Sequence, residues 1–137
     1  MEAGRVAQRL RYPAAVRLRR KREYERVFRE GVRVRDRWLK MVVAAREDPT
    51  LPSRLGTAVS RKVGHAVRRN RTRRRLREAF RLERPALPPG LDLVCIPLPE
   101  TERAPWEALR ESVRNLARLG AARLARRAAR ARAESGS

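Results

Sequence analysis

Several kinds of residue are scarce in this chain of 137 residues, and each scarcity excludes something. There is one cysteine, Cys95, so no disulfide can close within the chain, which fits a reducing compartment. There is one histidine, His65, with no second His or Cys near it, which excludes a structural zinc site. Neither a Ser-His-Asp nor a Cys-His arrangement can be assembled, because His65 stands alone and Cys95 sits inside an apolar run. No pair of carboxylates falls in a pocket-like context, and there is no glycine-rich phosphate loop. A self-sufficient enzyme is therefore not expected, although a protein that assists catalysis done elsewhere is. No run of about 18 apolar residues is present to span a membrane. The basic N-terminal stretch lacks the apolar region of about 7–15 residues that marks a secretory signal, so the expected location is the cytoplasm.

Acids are scarce as well. Fifteen Asp and Glu face 36 Lys and Arg, for a net charge of +21. A folded chain of that charge repels itself unless something anionic neutralises it, and nucleic acid is the first candidate. The charge is concentrated between Arg61 and Arg81, where ten Lys or Arg accompany a single acid, Glu78. An apolar thread of Val63, Val67, Leu76, Ala79 and Phe80 runs through that stretch. A disordered basic tail has no use for such a thread. The pattern predicts a helix over about 66–82 that docks through Val67, Leu76 and Phe80 and presents arginine to a polyanion. Arginine suits that task because its fork matches phosphate and its plane stacks on bases.

The remaining elements follow in order. Residues 1–17 are basic, poor in large apolar residues and read as a mobile arm. Tyr24, Val27 and Phe28 share one helical face over about 21–30, and Gly31 stops that helix. By composition alone, Tyr24 and Phe28 read as core. Residues 32–45 read as one strand, with Leu39, Met41, Val43 and Ala45 toward the core and Trp38, Lys40, Val42 and Ala44 on a partly exposed face. A loop with two prolines leads to a second strand over 54–60, expected to pair with the first as an antiparallel hairpin. The run Leu91-Asp92-Leu93-Val94-Cys95-Ile96-Pro97 reads as a central strand buried on both faces, with Cys95 as core filling. Strand, helix and strand in succession suggest a parallel pair with the basic helix as crossover. A last helix begins near Pro105, with Trp106, Leu109, Val113 and Leu116 as its apolar face. Beyond Gly120 the chain turns Ala- and Arg-rich and either prolongs that helix or frays.

The stretch Val63-Gly64-His65-Ala66-Val67-Arg68-Arg69-Asn70-Arg71-Thr72-Arg73-Arg74-Arg75-Leu76-Arg77-Glu78 resembles the signature of the protein subunit of bacterial ribonuclease P, in which an Arg-Asn-Arg core follows a basic turn with glycine. Leu18-Arg19-Arg20 leading to Glu23-Tyr24, Val27-Phe28 and Gly31 looks like the family's first helix. Leu55-Gly56 through Ser60-Arg61-Lys62-Val63-Gly64 looks like its second strand and turn, and Gly90-Leu91-Asp92-Leu93-Val94 like its next strand. The likeness spans about residues 18–119, leaving 1–17 as an arm and 120–137 as a C-terminal extension.

That resemblance implies an α/β sandwich, with a mixed sheet of about four strands, three helices and a left-handed βαβ crossover, an exception to the usual hand. It implies an RNA-binding cofactor of a ribonucleoprotein endonuclease. The RNA subunit does the chemistry with Mg²⁺ in the RNA–protein complex, no metal ligand in the protein is assigned, and no further protein partner is needed. The expected partners are the catalytic RNA and the 5′ leader of precursor tRNA. By matched position, Arg61, Lys62, Arg68, Arg69, Asn70, Arg71, Arg73, Arg74 and Arg77 would face the catalytic RNA, with Arg69, Asn70 and Arg73 on one exposed face and Arg68 or Arg75 elsewhere. Tyr24 and Phe28 match the aromatics of the family's leader-binding cleft, which moves them from core to a partly exposed role. Some members carry an aromatic where this chain has Val42, and Trp38 or Lys40 is expected to substitute for it. His65 replaces a frequent Lys or Asn and reads as a polar turn residue. A structural ribosomal protein is the alternative that charge and fold also admit, whereas an architectural DNA-binding protein would want a helix-turn-helix or a zipper.

Overall fold

The computed structural model describes residues 14–136, and most of the arm expected at 1–17 lies outside them. The last residues of that arm are docked. A short turn at Ala14–Val16 buries Val16, and Arg17 bridges to Leu55 in parallel sense. The folded unit therefore starts earlier than residue 18.

Helix α1 spans Lys21–Glu30, strand β1 Val32–Arg35, β2 Leu39–Ala45 and β3 Arg54–Thr57. Helix α2 spans Ala66–Glu83, β4 Leu91–Pro97 and α3 Trp106–Ser135. The sheet runs β1-β2-β4-β3, antiparallel except for the parallel pair β3 and β4. The basic helix is thus the crossover between two adjacent parallel strands, as the order of elements suggested.

Two expectations are corrected. Residues 32–45 are two strands, not one, folded into a hairpin about Asp36. Its carboxylate accepts the N–H groups of Trp38 (2.8 Å) and Leu39 (3.0 Å) and the hydroxyl of Ser112 (2.6 Å). Asp at this position offers the backbone a turn in place of a ladder. The second correction is that β2 does not pair with β3. The later strand β4 inserts between them, because its uninterrupted apolar run demands cover on both faces and neighbours on both edges.

The sheet divides the interior. On one face, Leu39, Met41, Val43, Leu55, Leu93 and Cys95 meet α2 and α3 through Leu76, Phe80, Leu109 and Val113. On the other, Val42, Ala44 and Val94 meet Leu18, just before α1, and Val27 of α1, so Val42 and Ala44 are buried where a partly exposed face was expected, and Ala45, expected toward the core, is exposed. Burial pushes the Cys95 thiol up to about 12, so it stays protonated packing material.

Helix α2 docks through Thr72, Leu76, Ala79, Phe80 and Glu83, which recur at helical spacing. The expected anchor Val67 is not among them. It lies in the first turn, on the outward side, and is 72% exposed. Arg75 is withdrawn from the cationic face, donating to the carbonyls of Thr101 and Glu102 (3.1 Å each) and Ala104 (2.7 Å). Glu83 is buried at the far end and holds α3 through Arg110 (2.7 Å) and Arg114 (2.5 Å). Burial raises the Glu83 carboxyl, but the hydrogen bonds and charges of Arg110 and Arg114 outweigh it and hold the group below its ordinary value of 4.5. A depressed folded-state value stabilises the fold above the unfolded one and is lost as protons bind. Thermal midpoints should fall as pH drops below about 4.5, and Glu83→Gln should flatten that fall.

Candidate nucleic-acid interface

The approach to α2 is a short turn at Arg61–Val63, capped by the Ser60 hydroxyl, which accepts the Lys62 N–H at 3.3 Å. His65 then occupies the N-cap position of α2 with no side-chain cap bond, exposed, as a polar turn residue would be. From there the core stripe fixes which arginines point outward. At about 100° per residue, Asn70, Arg71, Arg74 and Arg77 fall away from Leu76, and all four are exposed. Arg61, Lys62 and Arg68 are exposed too, whereas Arg69 and Arg73 are half-buried on the flank. Arg73 donates to the Asn70 amide oxygen at 2.8 Å, which joins Arg69, Asn70 and Arg73 along one side. Arg68 and Arg71 lie on the other side, loosely paired with Glu102 at 3.7 and 3.9 Å. Of the trio expected on one exposed face, only Asn70 is fully exposed, while Arg69 and Arg73 are half-buried and the Arg69 Nε is buried without a hydrogen-bond partner.

The second surface lies on the α1 face of the sheet, where register sets the rows. Arg33, Val42, Val94 and Gly56 are cross-strand partners and form one row. Arg35, Lys40 and Ile96 form the next, and Ala44, Asp92 and Arg54 the row on the other side. Helix α1 covers the Ala44 and Val42 rows and leaves the Lys40 row open. Its Tyr24 and Phe28 edge faces the open row, with both rings half-buried against Val42 and Val94.

Tyr24 is fixed by its hydroxyl, which donates to the Leu18 carbonyl (3.4 Å) and accepts the Thr57 N–H (3.3 Å). Gly56 makes room for the ring, since a Cβ there would stand 2.6 Å from the hydroxyl oxygen. Phe28 carries the Arg33 guanidinium over its ring at 5.8 Å. The resulting groove, about 260 Å³, is lined by Arg33, Arg35, Lys40, Val42 and Ile96 among others. An apolar floor and three cations, with Tyr24 and Phe28 on the neighbouring edge of α1, suit an extended single strand of nucleic acid.

Trp38 does not belong to this groove. The hairpin turn carries it to the opposite face, where it packs against the α3-side core beside Ala108, Ser112 and Asn115, with the Arg37 guanidinium 4.3 Å over its ring. Of the two expected substitutes for an aromatic at Val42, only Lys40 reaches the groove.

One polar cluster has no counterpart in the sequence reading. Asp92 is fully buried beneath α1. Arg54 grips it bidentately (2.7 and 2.8 Å), Arg26 donates to it, and Arg54 also binds Glu23 at 2.6 Å. The signal was present as an acid inside an apolar run, a placement that demands a paired cation. The cluster locks α1, and with it Tyr24 and Phe28, to β3 and β4.

Among the described residues no three His, Cys, Asp or Glu side chains gather to hold a metal, and the outward face of α2 is cationic. No helix of the described residues is long and apolar enough to cross a membrane.

A mixed sheet, an exposed arginine helix and an aromatic groove define an α/β RNA-binding protein. A family model described as Ribonuclease P matches residues 12–119. The chain is 46% identical over 105 residues to the Ribonuclease P protein component of Chloroflexus aurantiacus, covering 76% of each. It is 38% identical over 104 residues to that of Thermotoga maritima, covering 73% of this chain and 87% of the relative. The solved RNase P protein from Thermotoga maritima shares the fold with a TM-score of 0.66 at 35% identity, over 74% of this chain and 94% of that one. The Staphylococcus aureus RNase P protein superposes with a TM-score of 0.66 at 23% identity, over 77% and 94%, a likeness of fold alone. The chain belongs to the ribonuclease P protein family, the protein component of an RNA–protein endoribonuclease in tRNA 5′ processing.

Proposed function

We propose that the two surfaces divide the work of this component. The outward face of α2, with Arg61, Lys62, Arg68, Arg69, Asn70, Arg71, Arg73, Arg74 and Arg77, binds the catalytic RNA. The groove beside α1, with Tyr24, Phe28, Lys40 and Val42, holds the 5′ leader of precursor tRNA. The observation that carries this reading is the separation of the two. Helix α2 packs on one face of the sheet and the groove opens on the other, so both RNAs can be held at once. The catalytic RNA supplies the chemistry, with Mg²⁺ bound in the RNA–protein complex. The working unit is the part that matches the family, residues 12–119, acting in the cytoplasm, with the end of α3 as an addition.

The test is reconstitution. The protein is mixed with a bacterial catalytic RNA of this class and a precursor tRNA at low Mg²⁺, and cleavage is compared with and without it. Stimulation that disappears when the leader is shortened is the expected result. Equal affinity for unrelated duplex DNA, with no stimulation, would sink the proposal. Steep loss of binding with salt is expected under either outcome and does not discriminate.

A further inference from the structure

Helix α3 does not end where the family match ends. It runs unbroken from Trp106 to Ser135, about 45 Å, past the matched residue 119. The junction is firmly packed. Gly120 lies so close to β2 that a Cβ there would run into Val43, and Leu124 is still buried. From residue 125 onward every described residue is exposed. Residues 112–133 contain seven arginines and no acid.

Four of those arginines, Arg123, Arg126, Arg127 and Arg130, are spaced i, i+3, i+4 and i+7 and line one depression on the helix surface. A merely solvated helix would intersperse acids at i+4, as Arg26 with Glu30 and Lys21 with Glu25 do elsewhere, whereas within the stripe only Arg130, with Glu134, has an acid at that spacing. A stripe of like charge costs the isolated helix stability unless an anion meets it.

The stripe has a fixed place. Arg123 donates to the Arg33 carbonyl (3.1 Å) and Arg127 to the Glu30 carbonyl (2.5 Å), so it starts at edge strand β1 and the end of α1. Arg33 is also the residue whose guanidinium covers the Phe28 ring in the groove. The groove and the stripe therefore share a border. Helix α2 packs toward β3, at the other edge of the four-stranded sheet, about 14 Å away at three strand spacings.

We infer that the arginine stripe of the α3 extension binds phosphates of the 5′ leader upstream of the segment held in the groove. This rests on the groove being the leader site. Each arginine keeps donors to spare, since two of the four spend only one N–H on a carbonyl and a guanidinium has five. Recognition is of the phosphate backbone and carries no base preference.

The test uses the reconstituted holoenzyme and precursor tRNAs with leaders of about 4 and about 16 nucleotides. The variant is Arg126→Gln with Arg130→Gln, two exposed positions that hold no carbonyl of the domain, and the double Lys variant is its control. For the long leader, the Gln variant should bind several-fold to tenfold more weakly. Its salt slope should fall by roughly 1.4, at about 0.7 per single-strand phosphate contact. The short-leader substrate should be unchanged, and the Lys variant should retain most of the affinity. Equal losses for both leaders would assign the stripe to the catalytic RNA and overturn the inference, as would no loss at all. If the unmodified protein gains nothing from the longer leader, the stripe has no leader to hold and the inference fails. The groove reading survives that result if the short leader still binds better than mature tRNA.

Discussion

Asp92→Ala should lower the unfolding free energy by about 3–5 kcal/mol, the range for breaking a buried ion pair from one side. The thermal midpoint should drop by roughly ten degrees or more. The carboxylate is fully buried and serves two guanidinium groups, so its removal strands Arg54 and Arg26 beneath α1 with no anion in reach except Glu23 and Glu30. Urea denaturation measures this directly, as a shifted midpoint at constant slope. A double variant, Asp92→Leu with Arg54→Met, should recover much of the loss, because an apolar pair asks for no desolvation. If the single variant is as stable as the parent, the cluster does not hold α1. The consequence for function is separate from stability. An α1 that is no longer pinned leaves the Tyr24 and Phe28 wall free to tilt, so leader discrimination should weaken even at temperatures where the domain is folded.

Phe28→Ala should weaken holoenzyme binding to leader-bearing precursor tRNA by about 1–3 kcal/mol, the value of one base stacked on an aromatic, or roughly 5- to 150-fold. Affinity for mature tRNA should not change. Phe28 is half-buried against the cluster that holds Val42 and Val94, with the Arg33 guanidinium over its ring, so truncation costs some packing as well. A melting curve on the free protein separates that cost from the binding effect. Trp38→Ala is the matched control. Trp38 lies on the α3 side of the sheet, and its removal should leave the leader's contribution untouched. The opposite ranking, with Trp38 mattering and Phe28 neutral, would place the leader away from the groove.

Local signals read well where one rule acted alone. Gly31 ended α1 at Glu30, and the apolar run of β4 was bounded by Gly90 and Pro97. Where two rules competed, the reading slipped. Residues 32–45 looked like one strand because alternation runs through them. Yet the buried positions switch parity, from Val34 in β1 to Leu39, Met41 and Val43 in β2, and Asp36 sits at the switch. That break in phase was the visible sign of the hairpin. Missing it put Trp38 on the wrong face.

Val67 shows a different limit. Apolar character in the first turn of a helix says nothing of whether the core extends that far, and here it does not. Thr72 shows the converse, since its spacing to Leu76 and Ala79 placed it inward despite its hydroxyl. Helical phase set Arg75 apart from Arg69 but did not say what it would bind. Only the loop at Pro99–Arg103, which brings carbonyls up to Arg75, distinguishes a structural arginine from the neighbours it resembles.

That distinction gives the protein two unequal sensitivities to ions. The arginines on the outward face of α2 meet phosphate through long-range attraction, which added salt screens away. Arg75 meets three neutral carbonyls at hydrogen-bond distance, and such bonds have little charge to screen. A salt wash strong enough to strip bound RNA should therefore leave α2 seated. The bare protein that comes off should be folded and able to rebind without a refolding step.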